Sequence, residues 1–226
     1  MLVSFEGQDG AGKSSLLRAV FTELTRRGVI AVAVEEFSDS PYGQRLVDAL
    51  GRDKLLRPTV GEPATMLTRA LEVVADLYYF DERVIGPALE AGAVVLKDRH
   101  LDTVISTLVP SLVQTGAIPT DVHALTWLSV LLGELRHPPD MTVYVDPPLD
   151  VRVARIRDRR QRRVEVRGNH VSDEDLAVFA ARAREMQQLI AAKPDRFITV
   201  RNSNRELDEG VRQVVARIDS WQRKGS

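Results

Sequence analysis

The segment Gly7-Gln8-Asp9-Gly10-Ala11-Gly12-Lys13-Ser14 decides the fold of this 226-residue chain. It lies between a short apolar run, 2–5, and a segment, 14–27, whose apolar residues recur at helical spacing. A Gly-x-x-x-x-Gly-Lys-Ser sequence between a predicted strand and a predicted helix is typical of a phosphate-binding loop, because its glycines let backbone N–H groups point at phosphate oxygens. The dipole of the helix that begins near Lys13 favours the same negative charge. We therefore expect a P-loop fold.

Further apolar runs of strand length alternate with helical segments along the chain. Strands are predicted at 29–34, 93–96, 141–145 and 196–200, and helices over 63–89, 120–135, 173–192 and 207–221. This alternation predicts a parallel sheet that is covered on both faces. We expect an α/β protein with a P-loop NTPase-type sheet of about five parallel strands, helices on both faces, and a short arginine-rich lid at about 155–170. No linker or repeat divides residues 1–226, so a single domain is predicted.

The composition restricts the class of protein. Lysine plus arginine (31) nearly balance aspartate plus glutamate (32), so no net positive field draws the chain to nucleic acid or to an anionic membrane. Cysteine is absent, which excludes disulfides and a cysteine nucleophile and fits a reducing compartment. The sequence shows no signal-peptide pattern and no long apolar span. We expect a cytoplasmic protein that acts on a small molecule, with neither nucleic acid nor membrane as a partner.

Residues of the loop and of one strand end predict phosphate and metal binding. Lys13 is expected to bridge the β- and γ-phosphates, and the Ser14 hydroxyl to ligate Mg²⁺. Asp98, which follows the predicted strand 93–96, is the expected second metal ligand; the alternative is a surface carboxylate paired with Arg99. The predicted nucleotide-binding residues are Gly7, Gln8, Asp9, Gly10, Ala11, Gly12, Lys13, Ser14, Ser15 and Asn202.

Motifs beyond the loop resemble those of one family. The matching segments are, in chain order, 5–14, Ile85-Gly86-Pro87-Ala88-Leu89, Asp98-Arg99-His100, Pro139-Asp140 and the arginine-rich run 155–163. Over nearly its whole length the chain is similar to the thymidylate kinase family of nucleoside monophosphate kinases. The resemblance implies a single P-loop kinase domain that uses ATP and Mg²⁺, a small-molecule acceptor and a homodimer. The guanine-reading Asn-Lys-x-Asp motif is missing, and residues 201–204 resemble the family's adenine-side loop, so ATP is favoured over GTP.

The arginine-rich run occupies the place of the family's lid, a loop that closes over ATP. Guanidinium groups stabilise the charge that spreads over the oxygens of a transferred phosphoryl group. The alternative for this run is a solvated basic helix. Some family members carry an arginine inside the phosphate loop and others in the lid, and with Gly10 at the loop position this chain resembles the second type. The predicted catalytic residues are Lys13, Arg99, Arg159, Arg163 and Asp9.

The segments that would bind the acceptor depart from the pattern of the family. Where the family places an arginine after its second strand to hold the acceptor's phosphate, this chain has Glu35, whose carboxylate would repel a monophosphate. The aromatic ring and the arginine that contact thymine in the family align with Val73 and Leu77. Because a hydrogen-bonding site discriminates by the groups that it leaves unpaired, thymidylate is not the expected acceptor. The predicted acceptor-binding residues are Glu36, Phe37, Val73, Leu77 and Arg99.

Three interpretations of the function stay open. The first is a thymidylate kinase-like enzyme with altered acceptor specificity, in which Asp9 aligns with a carboxylate that binds the acceptor sugar. The second keeps the chemistry but has a nucleoside or another small hydroxyl compound as acceptor, with Glu36 as the base that a hydroxyl requires. The third is a regulatory protein that binds ATP without turnover, which the intact donor-side residues disfavour. Tyr78, Tyr79 and Phe80 are candidates for a replacement stacking surface.

Overall fold

The computed structural model of the protein describes residues 1–53, 55–162, 173–201 and 206–225. Its strands are β1 (Leu2–Glu6), β2 (Ala31–Val34), β3 (Val94–Asp98), β4 (Met141–Val145) and β5 (Phe197–Val200). Its helices are α1 (Lys13–Arg26), α2 (Pro41–Arg52), α3 (Met66–Phe80), α4 (Gly86–Glu90), α5 (Leu101–Gln114), α6 (Asp121–Leu132), α7 (Leu149–Arg162), α8 (Asp173–Ala192) and α9 (Leu207–Gly225). A π-helical turn, Asp81–Ile85, joins α3 to α4, and a 3-10 turn, Pro194–Arg196, precedes β5.

The five strands form one all-parallel sheet in the order β2-β3-β1-β4-β5. Every residue of β1, β3 and β4 is buried, as expected for strands covered by helices on both faces. β1 pairs with β3 on one side and with β4 on the other, so that Phe5 lies beside Asp98. The crossover that leaves β1 runs past β3 to β2, whereas the one that leaves β3 runs the opposite way, past β1 to β4. In open α/β sheets the carboxyl ends of the strands at such a switch point form the ligand-binding crevice. The predicted α/β fold with about five parallel strands is confirmed.

Two large apolar clusters hold the helices in place. The first joins β1, β3, β4 and β5 to α1 and α9, with Leu16, Val20 and Ile218 fully buried. The second lies among α3, α5 and α6 and includes Leu108 and Leu128. Burial of a leucine or isoleucine side chain stabilises a fold by about 1.5–3 kcal/mol. The clusters fix α1, which begins at the phosphate loop, and α5, which begins just after β3.

Helices α2 and α5 were not predicted from the sequence, and neither was α7, which is described below. Pro41 is the first residue of α2, where its missing N–H leaves no hydrogen bond unmade, and the Ser40 hydroxyl caps the helix by accepting from the N–H groups of Tyr42 (3.2 Å) and Gly43 (3.3 Å). In α5 a proline, Pro110, lies inside the helix. Both helices thus contain residues that usually mark a break.

The predicted lid is partly helical rather than a loop. Residues 155–162 belong to α7, and 163–172 lie outside the described residues. Within the described ranges, no helix combines the length and the apolar character needed to cross a membrane.

Candidate active site

The phosphate loop connects β1 to α1 through backbone conformations that glycine adopts readily. Gly7, Gly10 and Gly12 have φ of 136°, 78° and 89°. A Cβ at Gly7 would lie 2.5 Å from the carbonyl oxygen of Val145, and one at Gly10 would lie 2.8 Å from the carbonyl oxygen of Arg152. Glycine is therefore required at the first and fourth loop positions, because β4 and α7 approach the loop backbone closely.

The close approach at Gly10 predicts a stability loss on substitution. Gly10→Ala is expected to lower the free energy of unfolding by about 1–3 kcal/mol more than Gly28→Ala, because overpacking adds to the strain of positive φ. Gly28 is the matched control, since it has a φ of 76° and open space around it. Urea denaturation of both variants measures the difference. Equal losses would show that α7 does not pack on the loop as described.

Lys13, the first residue of α1, is only 7 % exposed. Burial lowers the pKa of its ammonium group, and the nearby Arg99 lowers it further, whereas Asp98 and Asp9 raise it. Among the described residues, no carboxylate forms an ion pair with Lys13. A buried ammonium group without a paired carboxylate favours an anionic ligand.

Ser14 and Asp98 form the pair that can hold a metal ion. The Ser14 hydroxyl donates a 2.7 Å hydrogen bond to Oδ2 of Asp98, which is 8 % exposed. The other carboxylate oxygen, Oδ1, is buried and has no hydrogen-bond partner in the described part of the chain. Mg²⁺ needs only one or two protein oxygens when phosphates and waters complete its octahedron, so this donor set fits it. Asp98 does not take the alternative partner, Arg99.

Arg99 lies between two carboxylates at the end of β3. Its Nη2 donates to Oδ1 of Asp9 at 2.7 Å, and its Nε lies 3.0 Å from Oε1 of Glu36. Burial alone would lower the pKa of Arg99, but Glu36 and Asp9 outweigh it and raise that pKa above its usual value. Three of the predicted site residues are thus brought into one cluster, and Arg99 is the charge that joins them.

A lysine that the sequence did not single out, Lys97, positions the acidic segment after β2. Its Nζ donates to the carbonyl oxygens of Glu35, Glu36 (2.9 Å) and Asp98 (3.1 Å), and lies 4.0 Å from the ring centre of Phe80. Burial lowers the pKa of Lys97 to about 8. The bonds connect the ends of β2 and β3, which places Glu36 beside Arg99. Phe80 belongs to the core here and does not form a stacking surface.

Two arginines of α7 contact the phosphate loop directly. Arg152 donates through Nη2 to the side-chain oxygen of Gln8 and through Nε to the carbonyl oxygen of Asp9 (3.4 Å). Arg155 donates to the carbonyl oxygen of Ala11 at 3.0 Å. Their spacing of three residues puts both on one face of a helix, a signal that was present in the sequence. Arg155, the first residue of the basic run, therefore packs on the loop and is not a solvated surface charge.

Three predicted site residues lie wholly or partly outside the described residues. Arg159 falls within α7, but its side chain is outside the described residues, as are Arg163 and Asn202 entirely. Their roles remain predictions. Ser15 lies exposed in the first turn of α1.

An open cleft lies beside the loop. Its described walls come from the loop, the start of α5 and the middle of α8, and its lining comprises Gly7, Gln8, Asp9, Arg99, Thr103, Ser106, Thr107, Tyr144, Phe179, Arg182 and Met186. The side chain of Gln8 donates a 2.8 Å hydrogen bond to the carbonyl oxygen of Phe179 and so connects α8 to the loop. The cleft adjoins the phosphate loop, which is where an acceptor must lie.

The predicted acceptor-binding residues are not all brought to this cleft. Arg99 lines it, and Glu36 contacts Arg99. Phe37 follows Glu36 and is half-buried. Leu77 is buried in the apolar cluster among α3, α5 and α6, and Val73 packs against that cluster. Neither of the two belongs to the cleft lining in the described part of the chain, because α5 lies between α3 and α8.

Glu6, the last residue of β1, is a buried carboxyl group beneath the cleft. It accepts hydrogen bonds from the backbone N–H of His100 (2.8 Å) and from the hydroxyl of Thr103, which lines the cleft. Burial, followed by the nearby carboxylate of Asp102, raises the pKa of Glu6 to about 7. The carboxyl group therefore changes its charge near neutral pH, next to the site.

This shift predicts a pH dependence of stability. The pKa of Glu6 is higher in the folded chain than in the unfolded chain. The stability that Glu6 contributes to the folded chain is therefore present in full below pH 4.5 and is lost as the pH rises through about 7. Glu6→Gln should therefore flatten the decline of stability between pH 4.5 and 7. Urea denaturation across this range, with the exposed Glu90→Gln as control, measures the two slopes. Identical slopes for wild type and Glu6→Gln would contradict the raised pKa.

Comparison with known proteins assigns the chain to a family. The family model for thymidylate kinase matches residues 5–214. A protein of Pseudomonas fluorescens named "Thymidylate kinase" is 34% identical over 221 residues, covering 97% of this chain and 93% of that protein. Proteins of the same name from Neisseria gonorrhoeae and Cutibacterium acnes are each 32% identical, covering 96% and 95% of this chain and 94% and 96% of their own length. The resemblance predicted from the motifs is confirmed, and the chain belongs to the thymidylate kinase family of ATP-dependent kinases.

Proposed function

We propose that this kinase transfers the γ-phosphoryl group of Mg-ATP to a nucleotide-like acceptor other than thymidylate. The observation that supports this proposal is the placement of Val73 and Leu77. These positions align with the family's thymine-contacting residues, but here they are aliphatic and pack on α5 and α6. A pocket without those polar and aromatic groups loses the contacts by which thymine is recognised, and such losses change specificity by orders of magnitude.

The donor-side residues have roles that follow from their positions. Lys13 supplies a buried positive charge beside the phosphates, and Ser14 and Asp98 would hold Mg²⁺, which neutralises charge on the β- and γ-phosphate oxygens when bound. Arg99 lies between the loop and the cleft, where it can contact the group in transfer. Asp9 orients Arg99 through their 2.7 Å hydrogen bond. Arg159 and Arg163 are proposed to supply further positive charge from the lid. Positioning and electrostatic stabilisation then provide most of the acceleration.

One experiment tests the proposed acceptor class. Purified protein with Mg-ATP is incubated with a panel of nucleoside monophosphates and the matching nucleosides, and ADP release is measured. We expect turnover of a monophosphate other than thymidylate. If thymidylate were turned over as fast as the best acceptor, the specificity proposal would be wrong. Turnover of nucleosides, lost in Glu36→Gln, would favour the hydroxyl acceptor, and no turnover at all would favour the regulatory ATP-binding protein.

We also infer that two chains form a homodimer. The family resemblance implied it, and apolar side chains exposed on neighbouring helices support it. Leu67 and Leu71, four residues apart on α3, are 37% and 45% exposed, and Leu125 on α6 is 39% exposed. Sedimentation equilibrium should give twice the chain mass of 25.2 kDa. Leu71→Glu should shift the protein to single chains, and a wild-type protein that stays monomeric at micromolar concentration would refute the dimer.

A further inference from the structure

Arg182 lies on the wall of the cleft that α8 provides. One of its guanidinium nitrogens, Nη2, donates to the carbonyl oxygen of Leu55 at 3.1 Å. Its Nε is buried and makes no hydrogen bond, and across the described ranges no carboxylate forms an ion pair with it. A guanidinium group has five N–H donors, so most of those of Arg182 are not used by the described residues. The cleft therefore contains an arginine whose donors are left for a ligand.

The charges around the two cleft arginines differ. Arg99 contacts the carboxylates of Asp9 and Glu36, so these three groups together carry a net negative charge. An anion that approached Arg99 alone would also approach both carboxylates. Arg182 forms no ion pair among the described residues: the nearby carboxylates of Asp9 and Asp53 favour its charged form but pair with Arg99 and Arg57 instead. Burial, and then the like charge of Arg99, lower the pKa of Arg182 to about 10, so that it stays protonated at neutral pH.

The surroundings of Arg182 suit an anionic group attached to an organic ligand. Phe179 and Met186 lie three residues before and four residues after it, on the same face of α8, and both line the cleft. Thr107 adds a hydroxyl group on the wall that α5 provides, where the hydroxyl of Thr103 already donates to Glu6. A cation, a hydroxyl group and an apolar surface thus border one space. This combination fits a phosphate monoester with an attached apolar or flat moiety.

We propose that Arg182 binds the phosphate monoester of the acceptor and thereby determines that the acceptor is anionic. The inference rests on the proposed function, since it concerns the acceptor of the same phosphoryl transfer. The positive charge that would hold the acceptor comes from α8, and not from the segment after β2, where Glu35 and Glu36 stand.

The first test compares Arg182→Met with Arg182→Lys and with Arg184→Met, an exposed arginine on the same helix. Methionine keeps most of the apolar stem but removes the charge. For the monophosphate preferred in the panel, Arg182→Met should raise KM about 10- to 100-fold with the KM for ATP unchanged, as expected for loss of a charge-assisted hydrogen-bonded contact. Arg182→Lys should raise this KM less than Arg182→Met does, and Arg184→Met should leave it at the wild-type value. An unchanged KM for the monophosphate would overturn the proposal.

The second test does not depend on any acceptor being turned over. With Mg-ADP saturating the phosphate loop, sulfate is added as a probe and the thermal unfolding midpoint is measured. Sulfate should raise the midpoint of wild type and of Arg184→Met but not that of Arg182→Met. Equal stabilisation of all three proteins, or of none, would refute an anion site at Arg182. If sulfate stabilises the protein only when Arg182 is present but the panel shows no turnover of any monophosphate, the anion site is supported and the proposed function is refuted.

Discussion

Replacing Lys13 by methionine is expected to reduce kcat by about 10³-fold, at the upper end of the loss that follows removal of one preorganised charge in an active site. The ammonium group of Lys13 is buried beside the loop and has no carboxylate partner among the described residues. Phosphates of the nucleotide would supply its missing countercharge. Because the ammonium group carries a desolvation penalty in the empty loop, the variant should unfold at the same temperature as wild type or at a higher one. Steady-state kinetics and calorimetry measure the two effects.

A matched control separates this loss from a general effect of α1. Arg18 lies on the same helix and is exposed, so Arg18→Met should keep wild-type kcat and stability. Loss of activity in Lys13→Met without loss of stability would assign the residue to catalysis. Full turnover by Lys13→Met would refute the role of the loop in phosphoryl transfer.

Replacing Arg99 by methionine is expected to lower kcat/KM for the acceptor by about 10²- to 10³-fold, because a positive charge that lines the cleft and contacts the loop is removed. The change also leaves Asp9 and Glu36 without the cation that joins them, so repulsion between the two carboxylates should lower the unfolding temperature. Kinetics at saturating ATP and thermal unfolding are the measurements.

The planar guanidinium group of Arg99 contacts the two carboxylates through two separate nitrogens. Arg99→Lys keeps a positive charge but cannot contact Asp9 and Glu36 through two separate nitrogens of a planar group, so it should recover stability more fully than activity. Arg83→Met, a change at an exposed position in the π-helical turn, serves as the control. If Arg99→Met kept wild-type kcat/KM, Arg99 would be a structural residue only.

Local sequence was sufficient to predict those parts of the site that depend on residues adjacent in the chain. The conformation of the loop follows from Gly7, Gly10 and Gly12, and the position of Lys13 follows from the helix that begins there. Asp98 could be placed because it follows a strongly apolar strand, and parallel strands end at a common edge. Its contact with Ser14 bridges 84 residues, yet it needed only the correct topology.

Contacts that depend on how helices pack could not be predicted in this way. Arg152 lies 144 residues from Gln8 in the chain, and it reaches the loop because α7 lies against Gly10. The role of Lys97 is similar, since its three carbonyl partners are brought together only when β2 pairs with β3. No periodicity signal distinguishes Lys97 from other buried charges, and the three-residue spacing of Arg152 and Arg155 puts them on one face of a helix without showing that the loop lies against that face.

By itself, the sequence determined the family, the parallel sheet and the phosphate loop, because strand-loop-helix geometry and glycine conformations are set by residues adjacent in the chain. The tertiary structure decided which side chains line the cleft. Val73 and Leu77 were expected at the site, but α5 separates them from the cleft, whereas Arg182 reaches it from α8. The reason is physical: the walls of a cleft are set by the packing of helices distant in sequence, and burial of their apolar faces determines which polar side chains face the cleft.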